Sequence, residues 1–568
     1  MKNTTPAQID KKTWYVGIPV LLFLVLALRE ISLPGLYMDS VNPDYQAAWM
    51  VRGDLAMPAW IYPDNILAGP YRWPLLNSLY GGNVTAYLGL LFFKLFGYGL
   101  YEVRLFHTLL GVSLLASLAW ALDQWKVPRR AILVGLGLLA VEPSFLYAWR
   151  TQYYLQLTPV IFLALGLGIL GRYTSQLPLS PRPHRSLFAA GLFTGFAAYG
   201  YFIFAFYAAL LVPTYLVLTR KQPELRARAT LLAAGVCTGF SPFVYAHLSI
   251  IGNTNIGEYI QQLRGLQTAY GVVDNEQGGI LSRVGIVFKR LANLRAGTAV
   301  EATIFFESAA SKLIRRSGAI LLAVGPLFCL FSLWRSRAKS DASAEADQRR
   351  MLMKLWFAIL AGHFLVGMLV GRPLGLQHYI MLLPVLYAMI ATGLPLHAAG
   401  GKSGATHRLP VAGLILCALA FLFNATMSAR FSQRLKNEGG NGMYSDVINV
   451  AVSHLNTVPP GSFVLFPQWG YWMGAVTASG PRYSAVESPS LAAMQQRLST
   501  EVGLQAQKSV VLVLGKEFLT NQPAADEQRI NDFARTAGFD VQTVVKCKGR
   551  SGQDQVWLAY LARPAQTN

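Results

Sequence analysis

Charged residues are scarce. Only 14% of the 568 residues are Asp, Glu, Lys or Arg, against 53% hydrophobic, and the mean hydropathy is +0.36. That balance leaves too little polar surface for a soluble chain of several domains and assigns most of the chain to the bilayer. Cysteines are few as well. Cys237, Cys329, Cys417 and Cys547 have no paired spacing, and three of them lie within apolar segments, so neither a disulfide framework nor a zinc site is indicated. The short alternating segments that build membrane barrels are missing. Apolar runs of about 18 to 22 residues recur instead, each long enough to cross roughly 30 Å of hydrocarbon as helix. No internal repeat is seen, and only SDASAEADQ resembles low complexity.

What charge there is carries information. The net charge of +21 comes from 49 basic and 28 acidic residues, but Lys and Arg sit mainly in short loops between apolar runs. This is the positive-inside pattern of a membrane protein rather than a nucleic-acid surface. Spans are expected near 14–33, 104–122, 131–148, 152–171, 186–201, 203–219, 227–249, 314–334, 351–371, 376–396 and 408–428. The first follows Lys11 and Lys12 and lacks a small-residue cleavage pattern before Pro34, so it reads as a retained span and not a signal peptide. The segment NVTAYLGLLFFKLFG, 83–97, is short and contains Lys94. If it crossed, the basic connections DQWKVPRR, RYTSQLPLSPRPHR, TRKQPELRARAT, WRSRAKSDASAEADQRR and GKSGATHR would all face outward. Read as an interfacial helix with Lys94 snorkelling, it leaves eleven spans, a cytoplasmic N-terminus and all five connections inside.

The expected fold class is therefore an α-helical polytopic membrane protein with a C-terminal extracytoplasmic α/β domain, in the cytoplasmic (inner) membrane. The membrane domain is 1–428, with outer loops 34–103 and 250–312, and the soluble domain is 429–568. In the latter, GSFVLFPQWGYW and KSVVLVLGKEFL read as buried strands and DEQRINDFARTAGF as an amphipathic helix ending at Gly538. The loop segments EYIQQLRGLQTAYG and RVGIVFKRLANL read as amphipathic surface helices that close over a ligand or simply cover the bundle.

The outer face holds the candidates for chemistry. Asp39 and Asp44 follow the first span directly, in GLYMDSVNPDYQAAWM, where a carboxylate has access both to a lipid headgroup and to a water-borne hydroxyl, as a general base requires. Helix capping by Asn42 or Asp44, next to Pro43, is the competing reading for Asp44. Arg72, Arg104 and Arg150 are cations available to a departing phosphate. For Arg150, at the end of SFLYAWR, complementing a helix C-terminus is an equal alternative. His378 and Tyr379 open the span GLQHYIMLLPVL on the same face. Tyr favours membrane interfaces in any case, and His247 in SPFVYAHLSI reads as an interface residue. The aromatics of FPQWGYW suit either sugar stacking or core filling.

Taken in order, the acidic motif after span one, then AWMVRGDLAMP, then RWPLLNSLYGGNVTAYLGLLFFKLFGYGLYEVRLFHTLLG, resembles the GT-C glycosyltransferases of the protein O-mannosyltransferase and aminoarabinose transferase group. The likeness in layout covers residues 1 to about 430. It implies a GT-C-like membrane domain that uses a polyprenyl-phosphate sugar donor. In that group the first outer loop carries an Asp-Glu pair whose Asp is the base, which maps onto Asp39. Ser40 stands where the Glu would be, so the second acid is either missing or supplied by Asp44. A Lys that contacts the lipid phosphate is replaced by Arg72 in YRWP. Arg104 fits the group's Arg before the second span, and His378 with Tyr379 fits a substrate-binding His/Arg-Tyr.

The expectation is an inverting hexosyl- or pentosyltransferase that moves a sugar to an acceptor hydroxyl, on a protein, glycolipid or polysaccharide, at the outer face, with no part for nucleic acid. A transporter or flippase of lipid-linked sugars and a non-catalytic assembly protein are the competing classes. No cofactor is assigned, no metal ligand is named, and a divalent metal is left open.

Overall fold

The computed structural model describes residues 13–52, 55, 73–176, 184–269, 280–294, 298–305, 323–334, 343–369, 375–394, 408–480, 482–520, 522–552 and 554–564. Two bodies follow one another along the chain, a helical bundle and a small sheet domain.

The bundle opens with α1 (Trp14–Ala27), α2 (Asn42–Val51) and α3 (Val84–Phe96). Next come α4 (Leu100–Gln124), α5 (Arg129–Ala140), α6 (Pro143–Ala148) and α7 (Tyr154–Gln176). Then follow α8 (His184–Gly200), α9 (Ile203–Leu218), α10 (Leu225–Asn253), α11 (Ile256–Ala269), α12 (Ile280–Leu294) and α13 (Thr298–Phe305). The last group is α14 (Ala323–Trp334), α15 (Ala344–Leu369), α16 (Leu382–Gly393) and α17 (Arg408–Glu438). Among the described residues, six helices are long and apolar enough to cross a bilayer: α4, α7, α10, α15, Leu376–Gly393 and the Val411–Glu438 part of α17. Shorter apolar helices are α1, α3, α9 and α14. The chain is a multi-pass membrane protein. The count of eleven crossings and their direction stay expectations of the charge pattern.

The run 131–148, expected as one span, is two helices. Pro143 occupies the first turn of α6, where its missing N–H is no loss, and Glu142 caps it by accepting from the Ser144 amide at 3.4 Å. Tyr387 on α16 donates to the other oxygen of Glu142 at 3.1 Å, so this acid is held inside the bundle. The 83–97 segment forms α3, whose Phe93 and Gly89 are buried while Leu91, Leu95 and Phe96 are exposed. α17 continues past residue 428 to Glu438.

A short hairpin, β1 (Leu76–Ser78) with β2 (Gly81–Gly82), precedes α3. The sheet of the soluble domain contains β3 (Phe463–Phe466), β4 (Ser484–Glu487), β5 (Ser509–Gly515), β6 (Asp540–Lys548) and β7 (Asp554–Ala562) in the order β4-β3-β5-β7-β6. β4, β3 and β5 are parallel, with Leu465 opposite Leu512, and β7 pairs antiparallel with both β5 and β6. The continuous apolar run of β5 is what a strand buried on both faces needs. Val510, Leu512 and Leu514 pack with Ile530 and Phe533 of the helix α20 (Pro523–Thr536), while Val511 and Val513 belong to a core continuous with the bundle. That second face is covered by α18 (Val447–Leu455) and α19 (Trp472–Ser479). The expected strands at FVLF and VVLVLG are present. The expected helix is α20, and Gly538 follows it at φ +74°, the left-handed conformation that glycine adopts without strain.

Candidate active site

The site begins where α1 ends. The carbonyl of its last residue, Ala27, has no partner within the helix, and Arg150 supplies one there and to three carbonyls just beyond it. One Nη donates to Glu30 O and Leu33 O at 2.8 and 2.9 Å, the other to Ala27 O and Arg29 O at 2.6 and 2.5 Å. Arg104 continues the series, donating to Pro34 O at 2.8 Å and to Arg150 O at 2.7 Å, while its Nε has no partner among the described residues. Both guanidinium groups are buried. Together they fix the path of the chain into residues 35–41.

There the backbone makes a single 3₁₀ turn, Met38–Ser40. Ser40 Oγ donates to Tyr37 O at 2.6 Å and accepts from Tyr37 N at 3.1 Å, closing the turn on itself. Asp39 is half-buried at its centre and accepts one hydrogen bond, from the Tyr37 hydroxyl at 3.2 Å to Oδ2. Burial pushes its carboxyl up to about 6, with the Tyr37 bond pulling the other way. Tyr444 faces it; burial first, then the charge of Asp39, hold that phenol well above its ordinary range.

Asp44 lies in the first turn of α2, but its side chain makes no cap, and it is fully buried. Its Oδ2 accepts from the Tyr154 hydroxyl at 2.7 Å and meets His107 Nε2 at 2.9 Å; Oδ1 has no partner among the described residues. The Tyr154 ring stacks on the His107 ring at 3.9 Å. His107 Nδ1 lies 2.9 Å from Trp149 O, which only accepts, so Nδ1 carries a proton. Nε2 then either donates to Asp44 as an imidazolium or accepts from a protonated Asp44, and in both arrangements the pair is neutral overall. Beside it Gln46 donates to Asn42 Oδ1 at 3.0 Å and accepts from Asn83 Nδ2 at 2.6 Å, tying α2 to the start of α3.

A second polar cluster surrounds His378, whose Nδ1 is 2.5 Å from the Tyr201 hydroxyl. Tyr201 packs edge-on to Tyr80, in the β1–β2 hairpin that leads to Asn83. Tyr379 is buried with its hydroxyl unpartnered, against the ring of His363, which in turn is bonded to Tyr207 at 2.9 Å. The structure therefore brings Asp39, Asp44, Arg104 and Arg150 together at the end of α1. His378 and Tyr379 connect to them through the hairpin and the start of α3. Arg72 lies outside the described residues. His247 is paired with the Tyr259 hydroxyl at 2.7 Å, away from these groups. Among the described residues no three His, Cys, Asp or Glu side chains are arranged to hold a metal ion.

Tyr37, His107, Tyr154, Gln46 and Asn83 are not singled out by the sequence. His107 had a usable signal: it is three residues after Arg104 on the same helix and so shares a face with it. Tyr154 had none, because its partner is 110 residues away.

Neither protein-family models nor curated protein sequences give a match. Solved structures do. The aminoarabinose transferase ArnT from Cupriavidus metallidurans, bound to undecaprenyl phosphate, is similar over 97% of this chain and 98% of its own, at 12% identity and a TM-score of 0.56. Its apo form is similar over 96% and 98%, at 10% identity and a TM-score of 0.54. The oligosaccharyltransferase AglB from Archaeoglobus fulgidus is similar over 98% of this chain and 74% of its own, at 14% identity and a TM-score of 0.48. The chain has the GT-C fold that the layout of its first loop led us to expect. The match to ArnT extends through the soluble domain.

Proposed function

We propose that the chain is an inverting glycosyltransferase that takes a sugar from a polyprenyl-phosphate carrier and delivers it to an acceptor hydroxyl at the outer face of the cytoplasmic membrane. The observation that carries this is Asp39: a half-buried carboxylate with a single hydrogen bond, raised to about 6, at the end of the first helix of a fold shared with a transferase solved with undecaprenyl phosphate. Such a group has a proton affinity near the working pH and an open oxygen for a proton, as a general base requires.

In the reaction the acceptor hydroxyl attacks the sugar C1 on the side opposite the phosphate. Asp39 takes the hydroxyl proton, the C1–O bond to the carrier breaks, and polyprenyl phosphate leaves with the electron pair. No covalent sugar–enzyme intermediate is needed, so the anomeric configuration inverts. Arg72 is the cation we assign to the leaving phosphate. The donors of Arg150 are taken up by backbone carbonyls, and it acts as a brace for the turn that carries Asp39. Arg104 braces the same turn and turns its remaining Nε–H toward the donor. Asp44 holds α2 against α4 and α7, and supplies the second acidic group of the site. His378 and the open Tyr379 hydroxyl bind the donor from the hairpin side. No step is routed through a metal.

The test is transfer from a radiolabelled polyprenyl-phosphate sugar in detergent, with the product's anomeric configuration read by NMR. The reading expects carrier-dependent transfer with inversion. Retention of configuration removes the single-base mechanism, and movement of the labelled lipid across liposomes without any transfer would replace the enzyme reading with transport. Competition between hexosyl and pentosyl donors then fixes the sugar class.

A further inference from the structure

The turn that holds Asp39 is built as much by the soluble domain as by the bundle. The Met38 amide, first in the turn, donates to Gly470 O at 3.0 Å, and the Gly35 amide donates to Tyr444 O at 3.0 Å. Between these two bonds the Tyr37 ring is enclosed, with Tyr444 at 5.1 Å on one side and Trp469 at 5.4 Å edge-on at another. Only 4% of Tyr37 is exposed. The approach is close enough to exclude side chains. A Cβ on Gly470, which sits at φ +105°, would be 2.7 Å from the Tyr37 ring, and one on Gly474 would be 2.3 Å from Leu36 O. Further along α19 the contact continues, with Trp472 edge-on to Tyr45 at 5.2 Å and Thr477 Oγ1 2.7 Å from the Tyr98 hydroxyl.

A docking surface that only held two domains together would not need to reach the carboxylate. This one does, because the enclosed Tyr37 hydroxyl is the donor to Asp39 Oδ2. We infer that Tyr37 is a positioning residue through which the docked soluble domain sets the orientation of the Asp39 carboxylate. The inference rests on the reading of Asp39 as the base and gives the soluble domain a part in the reaction. A phenol enclosed on several sides has little rotational freedom, so its hydrogen bond selects one rotamer of Asp39 and leaves the other oxygen for the acceptor proton. Among the described residues, the titratable groups facing Asp39 are Tyr37 from its own turn, Tyr444 from the segment before α18, and Tyr154 from α7, with Glu487 bonded to the Gly470 amide behind them. None of these is a cation that would mask the effect of the phenol.

Three variants of the full chain test this, with a polyprenyl-phosphate sugar as donor. Tyr37→Phe keeps the enclosed ring and removes the hydroxyl. We expect an unchanged thermal midpoint, an unchanged KM for the donor and a fall in kcat of about tenfold, the loss that goes with one hydrogen bond to a charged group. The acid limb of its pH profile should move up by roughly one unit, because the bond it removes favours the carboxylate. Gly474→Ala, which pushes on the Leu36 carbonyl, should likewise lower kcat and leave the donor KM alone. A Tyr37→Phe protein with the wild-type kcat and pH profile, beside an inactive Asp39→Asn, overturns the positioning role and leaves the base standing. Wild-type transfer by Asp39→Asn removes the base and the positioning role together.

Discussion

Tyr154 donates its hydroxyl to Asp44 Oδ2 at 2.7 Å across 110 residues of sequence, and both side chains are fully buried. His107 shares the same oxygen at 2.9 Å. The three groups join α2, α4 and α7 where water has no access to replace a lost partner.

Removing the acid should therefore be severe. Asp44→Ala leaves His107 and Tyr154 without their shared partner, and breaking a buried pair in this way costs about 3–5 kcal/mol. Thermal denaturation in detergent should show a large fall in the midpoint, with Asp44→Asn intermediate. A midpoint equal to wild type for Asp44→Ala would mean the cluster does not hold the helices.

Arg150 gives a second stability test. Its two Nη atoms serve four carbonyls at the end of α1, a geometry that a single ammonium cannot reproduce. Arg150→Lys should be destabilised nearly as much as Arg150→Ala, by roughly 3 kcal/mol or more. If Lys restores the wild-type midpoint, charge alone is what matters there, and a role toward the donor phosphate regains ground.

The raised carboxyl of Asp39 has consequences of definite sign. The base works when ionised, so the rate should fall as the pH drops through about 6, read from kcat/KM against pH. Stability runs the other way. The folded state holds the Asp39 proton more tightly than the unfolded chain, whose carboxyl titrates near 3.8, so folding is favoured at low pH and this contribution is lost as the pH rises from about 3.8 to 6. An acid limb near 4, the ordinary carboxylate range, would mean that Asp39 is solvated in the working enzyme.

How much of this could be read beforehand depended on distance along the chain. The strand VVLVLG and the helix ending at Gly538 are local patterns, and both appear where expected. The break at Val141–Glu142 was written in the Glu-Pro pair, a helix start inside an apolar run that length alone had merged into one span. Asp39 was legible as an acid after the first helix. Its partners were not: Tyr37 looks like any interface tyrosine until Trp469 and Tyr444, more than 400 positions on, enclose it. Arg150 was open to two readings because a guanidinium at a helix end suits both a phosphate and a row of carbonyls, and the carbonyls, about 120 positions earlier in the chain, reach it only through the fold. The strands β4 and β6 escaped notice because their apolar residues are interrupted by polar ones, as suits the two edge strands of the sheet.

The sidedness expected from the basic loops is open to direct test. Trp469 is 47% exposed beside the Asp39 turn. In a chain whose four cysteines, Cys237, Cys329, Cys417 and Cys547, are replaced, Trp469→Cys should react with a membrane-impermeant thiol reagent added outside right-side-out vesicles. Labelling only after the vesicles are opened would put the soluble domain and the site on the cytoplasmic side.

The role of Asp39 is tested most directly by single-turnover transfer in Asp39→Asn, with donor binding measured on the same preparation. The amide keeps the size of the side chain and its acceptor for Tyr37 but cannot take the acceptor's proton. Transfer should fall by about 10²–10⁴-fold, the usual contribution of a general base, while the affinity for the polyprenyl-phosphate sugar is unchanged. Transfer at the wild-type rate, with the donor bound equally well, would contradict the account.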